Sequence, residues 1–110
     1  MITRRQFALA APAALTPPPR RSILVHEHVL VDFIGADAIR PGRYDPDEVF
    51  RVARPKLEAI RQFGCVRMLE ATPDFLGRDA FLMRRLSDVT GVEIYFARIG
   101  GEEIVFEAVA

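Results

Sequence analysis

Leu24-Val25-His26-Glu27-His28-Val29-Leu30-Val31-Asp32-Phe33 is the stretch on which the reading of this chain turns. It holds both histidines of the 110-residue sequence, one residue apart. Read as a strand, successive side chains point to opposite faces, so residues two apart share a face. His26 and His28 would then project side by side, with Leu24, Leu30 and Asp32 on their side and Val25, Glu27, Val29, Val31 and Phe33 on the other. Paired imidazoles on one strand face are half of a metal site, because neutral imidazole is a common zinc ligand. By spacing alone, the alternative is a pair of polar side chains bonded to neighbours or solvent. Asp32 shares the predicted face, but four to six residues along a strand place it about 13 Å or more away at roughly 3.3 Å per residue. It is a poor third ligand. Glu27, on the opposite face, is expected to pair with a basic residue.

Beyond the histidines, strand and helix alternate. Ile34 to Tyr44 is punctuated by Gly35, Pro41 and Gly42 and reads as a loop. Asp45, Pro46 and Glu48 form a helix start: a capping carboxylate, proline at the first helical position and an acid three residues after the cap. Val49, Val52, Ala53, Leu57, Ile60 and Phe63 recur at three- and four-residue spacings and predict one buried stripe. Pro55 lacks the N–H that would bond the Arg51 carbonyl and predicts a kink. Gly64 suits a helix terminus. Cys65 to Ala71 reads as a second strand, closed by a Thr72-Pro73-Asp74 turn. A second helix is expected over Asp79 to Val89, with Leu82, Leu86 and Val89 facing inward, and Thr90-Gly91 ends it. Val92 to Ala97 is a third strand. Ile104 to Val109 suits a strand or a terminal helix turn. Strand–helix–strand–helix–strand with short connections predicts an α/β fold around a parallel sheet with right-handed crossovers.

Bulk properties narrow the function. Fifteen basic and fifteen acidic residues balance to zero, which leaves no electrostatic footprint for nucleic acid. No apolar run reaches the roughly 18 residues needed to cross a bilayer, so no membrane partner is expected. Cys65 is the only cysteine and reads as a small buried hydrophobe. Glu70 and Asp74, near the carboxyl end of the second strand, either border a site or serve as a buried acceptor and a solvated turn residue. Arg78 and Asp79 are expected to cap the second helix and tie loops together.

The first residues read as an address. Thr3-Arg4-Arg5-Gln6-Phe7-Ala8-Leu9 resembles the twin-arginine export signal of bacteria. A short Ala-rich apolar segment comes next, then Ala11-Pro12-Ala13 as a small-x-small cleavage pattern. Thr16 to Arg21 is a stiff, proline-rich linker. Residues 1–19 are accordingly set apart from a folded part over 20–110, and the expected location is periplasmic or secreted.

With the elements placed, the segment from about Ser22 to Phe96 resembles the first part of the phosphotriesterase family of the amidohydrolase superfamily. His26-Glu27-His28 stands where that family has a His-x-His motif at the end of its first barrel strand. Glu70-Ala71-Thr72-Pro73, Leu76-Gly77-Arg78-Asp79 and Thr90-Gly91-Val92-Glu93-Ile94 resemble later blocks at matching spacings. The resemblance implies the first three β/α units of an incomplete (β/α)8 TIM barrel. It implies a binuclear centre, commonly zinc, for which His26 and His28 supply two ligands. The remaining ligands in that family come from a bridging lysine, two histidines and an aspartate on later strands. The implied reaction is attack of metal-activated water on a small-molecule phosphoester or lactone. Such barrels take about 250 residues. The resemblance therefore implies a truncated member, inactive alone, with open sheet edges that favour self-association. The alternative is a non-catalytic remnant or a small metal-binding or interaction protein. After Phe96 the resemblance ends.

Overall fold

The computed structural model describes residues 21–100 and 103–109. The element order is β1 (Ser22–Glu27), α1 (Pro46–Gln62), β2 (Cys65–Glu70), a 3-10 turn (Asp74–Leu76), α2 (Ala80–Thr90), β3 (Glu93–Gly100) and β4 (Glu103–Ala108). The export-signal reading of residues 1–19 lies outside the described residues.

The helix boundaries follow their caps. The Asp45 side chain accepts the Asp47 N–H, Pro46 opens α1, and Asp47 and Glu48 occupy its positive end. The helix runs on through Pro55 to Gln62, so the proline does not end it. Asp79 caps α2 by accepting the Leu82 N–H at 2.9 Å. Gly91 ends α2 in the left-handed region at φ 73°, a conformation that costs a residue with a Cβ.

The strands form one sheet in the order β1-β2-β3-β4. β1–β2 and β2–β3 are parallel, as the alternating pattern predicts. β4 departs from it. It folds back antiparallel on β3, with Tyr95 opposite Ala108 and Arg98 opposite Val105, and an Arg98–Glu107 ion pair of 2.7 Å ties the two strands. The sheet is therefore mixed. Two strand–helix units are followed by a hairpin rather than by a third helix among the described residues. β3 extends three residues beyond its predicted end at Ala97, because the hairpin pairs them.

One core cluster joins the helices to the sheet: Ala53 and Leu57 of α1, Leu82, Met83 and Leu86 of α2, Met68 of β2, and Val92 and Ile94 at the start of β3. Both helices thus cover one face. The predicted stripe of α1 is only half covered. Val49 and Ile60 pack at the edge of the core, but Val52 and Phe63 are 57% and 86% exposed. In α2, Met83 is fully buried and Val89, expected inside, is exposed. Cys65 is buried and unpaired, as its apolar surroundings suggest.

β1 is shorter than the 24–33 stretch predicts, and it is irregular. From Leu24 to Glu27 it advances three residues while β2 advances two, from Met68 to Glu70. One extra residue in β1 makes a bulge, which re-aims the side chains beyond it. Leu24 consequently packs against the helix-side core rather than sharing a face with the histidines. Leu30 and Asp32 lie beyond the strand, so the face predicted for them does not exist.

Candidate metal centre

β1 ends at Glu27, and the chain leaves the sheet at its carboxyl end, where parallel α/β sheets carry their sites. His26 is the penultimate strand residue and His28 the first beyond it. Both imidazoles are exposed, with ring centroids 5.1 Å apart and planes at 75°. Their Nε2 atoms face each other at 3.3 Å. The two histidines are therefore brought together as the strand pattern predicts, although the strand itself is bulged just before them.

The other ring nitrogen of His28 is engaged. His28 Nδ1 lies 2.9 Å from Thr72 Oγ1. The Thr72 hydroxyl donates in turn to Glu70 Oε1 in a short hydrogen bond. Glu70 Oε1 also accepts the Val29 N–H at 3.3 Å, and Oε2 accepts the Thr72 N–H at 3.3 Å. Glu70 and Thr72 are both fully buried. Burial pushes the Glu70 carboxyl above its ordinary range, while the Thr72 hydroxyl, the Val29 and Thr72 N–H groups and the nearby His28 pull it back down. Glu70 is thus a buried acceptor, and one that reaches the histidine pair through a single hydroxyl. Thr72 was legible only as a turn residue. The signal that could have found it is the Glu70-x-Thr72 spacing at the end of β2, the strand adjacent to β1.

The remaining candidates lie elsewhere. Asp32 sits in the loop after β1, where Arg43 Nε binds its carboxylate at 2.5 Å and holds it below its usual range. Glu27 lines a cleft between β1 and α1 together with Lys56, but makes no ion pair among the described residues. Asp74 opens the 3-10 turn and pairs with Arg78 at 2.6 Å, its side chain 82% exposed. Arg78 also donates to the Ala97 carbonyl at 2.6 Å and stacks over Phe96 at 4.5 Å, tying the turn after β2 to β3. Asp79 caps the second helix as expected, and Arg78 ties loops together without capping it.

Two nitrogens bound at roughly 2.0–2.1 Å to a tetrahedral zinc ion are about 3.3–3.4 Å apart. The 3.3 Å separation of the two Nε2 atoms fits two corners of such a site. No group of three or more His, Cys, Asp or Glu side chains gathers around a common point among the described residues. The chain therefore presents two ligands of a centre and not a closed one.

The fold and the site define the class first: an α/β unit of the parallel strand–helix type, with a histidine pair at the carboxyl end of its first strand. The comparisons with known proteins then give it relatives. An aryldialkylphosphatase of Saccharolobus solfataricus is 34% identical over 74 residues, covering 64% of this chain and 23% of that protein. Solved structures of variants of the organophosphorus hydrolase from Deinococcus radiodurans are 26% identical, with a TM-score of 0.60, over 68% of this chain and 23% of theirs. No protein-family model matches the chain. Over part of its length the chain is similar to phosphotriesterase-family hydrolases, and it spans about a quarter of the length of the relatives it matches.

Proposed function

We infer that this chain carries the first-strand half of a divalent-metal centre of the phosphotriesterase type, with His26 and His28 as ligands through Nε2. The observation that supports the reading is the convergence of the two Nε2 atoms at 3.3 Å, at the carboxyl end of a parallel strand, in a chain similar to aryldialkylphosphatase and organophosphorus hydrolase. Zinc is the metal this donor set suits, since imidazole nitrogen at a tetrahedral edge is a zinc arrangement. In a complete centre such a metal would supply a nucleophilic hydroxide near neutral pH and polarise the bond under attack. The residues of this chain hold and orient. His26 and His28 present lone pairs from one side, Thr72 fixes the His28 ring, and Glu70 anchors Thr72.

The substrate class is a small phosphotriester or lactone, and the chain by itself does not turn it over, because two ligands leave a metal without the further groups that activate water. The test is to measure zinc content after dialysis, together with hydrolysis of aryl phosphotriesters and lactones, on the purified chain. Weak zinc binding that depends on both histidines, without turnover, is the expected result. Tight stoichiometric zinc with turnover overturns the inactive half of the reading. No zinc binding at all overturns the metal half.

Export and self-association have their own tests. Arg4 and Arg5 direct export to the periplasm or beyond, and Arg4→Lys with Arg5→Lys should leave a tagged chain inside the cell. Among the described residues the sheet ends at β1 on one side and β4 on the other, and such edges favour self-association. Sedimentation across a concentration series should show species larger than monomer. No nucleic-acid or membrane partner is proposed, and no helix among the described residues is long and apolar enough to cross a membrane.

A further inference from the structure

The hydrogen bonds around His28 have a direction, and that direction decides which histidine is ready for a cation. Glu70 receives three donors: the Val29 N–H and the Thr72 hydroxyl on Oε1, and the Thr72 N–H on Oε2. Both backbone groups can only donate, so both carboxylate oxygens are held as acceptors. The Thr72 hydroxyl has one proton, and it is directed to Glu70. Thr72 Oγ1 must then accept from its other neighbour, His28 Nδ1, at 2.9 Å. His28 therefore carries its proton on Nδ1, and its Nε2 is a bare lone pair. The contact between the two Nε2 atoms at 3.3 Å is consistent with this. Two bare lone pairs facing each other at that distance would repel, so in the metal-free chain His26 carries its proton on Nε2 and donates it to His28.

We propose that Glu70 and Thr72 are positioning residues that preset His28 as an Nε2 ligand, and that cation binding requires a tautomer change only at His26. The inference rests on the metal-centre reading above and deepens it, but its first half concerns the metal-free chain and stands or falls without hydrolysis. When a cation enters between the rings, His28 keeps its proton on Nδ1. His26 gives up its Nε2 proton, and the neutral ring is reprotonated on Nδ1, which solvent can reach because the ring is exposed. No proton is gained or lost by the pair in the exchange. The tautomer of a metal-bound histidine is ordinarily fixed by a hydrogen bond on its second nitrogen, and loss of that partner typically weakens metal binding by about 10–100-fold.

Reversal of the relay is the competing arrangement. A protonated Glu70 would donate to Thr72 Oγ1, Thr72 to His28 Nδ1, and His28 Nε2–H to His26. The two N–H groups that clamp Glu70 from the backbone favour the first direction, and the two directions predict opposite tautomers at both rings.

The experiment is long-range nitrogen–proton NMR on the nitrogen-15-labelled full chain at about pH 8, where unperturbed imidazoles are neutral. It is run metal-free and then with zinc added, on the unsubstituted protein and on Thr72→Val and Thr72→Ser. The expected metal-free result is Nδ1–H at His28 and Nε2–H at His26. Zinc should leave His28 as it is and convert His26 to Nδ1–H. Thr72→Val should release His28 into a mixture of tautomers and weaken zinc binding by about 10–100-fold. Thr72→Ser, which keeps the hydroxyl, should restore both. Nε2–H at His28 in the unsubstituted, metal-free chain overturns the proposal and needs no variant to be folded. A Thr72→Val protein with an unchanged His28 tautomer and unchanged zinc affinity also overturns it. If His28 is Nδ1–H and zinc does not bind, the preset ligand stands and the metal-centre reading fails.

Discussion

The Tyr44 hydroxyl donates to Asp79 Oδ2, while the other oxygen of Asp79 caps α2 through the Leu82 N–H at 2.9 Å. One carboxylate thus fastens the long loop after β1 to the amino end of α2. Burial, the hydrogen bond to Asp79 and the Asp79 charge all hold the Tyr44 phenol in its protonated, donating form well beyond the usual tyrosine range. Asp79→Ala removes a cap, worth about 1 kcal/mol, and strands a half-buried phenol, worth about 1 kcal/mol more. Tyr44→Phe removes only the second contribution. Chemical denaturation should place Asp79→Ala about 2 kcal/mol and Tyr44→Phe about 1 kcal/mol below the parent protein. Equal losses in the two would show that the cap contributes nothing.

Glu70 and Asp32 are displaced in opposite directions, and their signatures on stability are opposite. Burial raises the Glu70 carboxyl in the folded state, so folding favours its neutral form. The stability this group contributes is fully present below the ordinary carboxyl value of 4.5 and is lost as pH rises through the raised folded value. The Arg43 hydrogen bond lowers Asp32, whose contribution is present above 3.8 and is lost as pH falls through its lowered folded value. For the metal-free chain, unfolding free energy should therefore increase on acidification from neutral pH towards about 5 as far as Glu70 controls it, and decline below about 4 as far as Asp32 does. Glu70→Gln should flatten the upper limb and leave the lower one. Carbon-13 titration of the two carboxyls checks the assignment: Glu70 must move above its ordinary value and Asp32 below.

Leu86 and Phe63 test how far an apolar pattern predicts burial. Both lie on predicted inner faces, yet Leu86 is fully buried and Phe63 is 86% exposed at the end of α1. Leu86→Ala should cost about 2–5 kcal/mol through lost burial and a residual cavity. Phe63→Ala should stay within about 0.5 kcal/mol of the parent. A large loss at Phe63 would mean that its ring is covered in solution, and self-association is then the first property to measure.

The elements that were legible in the sequence are those whose signals are local. Asp45-Pro46 and Asp79 mark helix starts because a cap acts over three residues, and Gly91 marks an end because a left-handed residue is needed there. The faces were harder. Period-two alternation assigns Leu24 to the histidine side, but a single extra residue in β1 inverts every assignment before it, and no local residue type announces that bulge. Glu103–Ala108 is a short apolar run that suits strand or helix, and its antiparallel direction is set by β3, a partner that local pattern does not specify. The α1 stripe is incompletely covered because Val52 borders the open cleft beside β1 and Phe63 lies past the end of the helix. The histidine pair was visible as a pair. Its support from Thr72 was not, since the contact spans 44 residues and depends on β1 and β2 being neighbours.

Zinc binding by the pair should require both rings. A single imidazole binds a divalent ion weakly, and the fit here rests on two lone pairs held at a tetrahedral edge. His26→Ala and His28→Ala should each reduce zinc affinity at about pH 7.5 by at least about tenfold, or about 1.4 kcal/mol. Isothermal titration with zinc chloride, before and after chelator treatment, measures the effect. Both rings are exposed, so the alanine variants should keep the parent's thermal midpoint without metal to within a few degrees. If His26→Ala binds zinc as tightly as the parent, His28 alone or a donor elsewhere holds the ion, and the 3.3 Å approach of the two rings is then a hydrogen bond and nothing more.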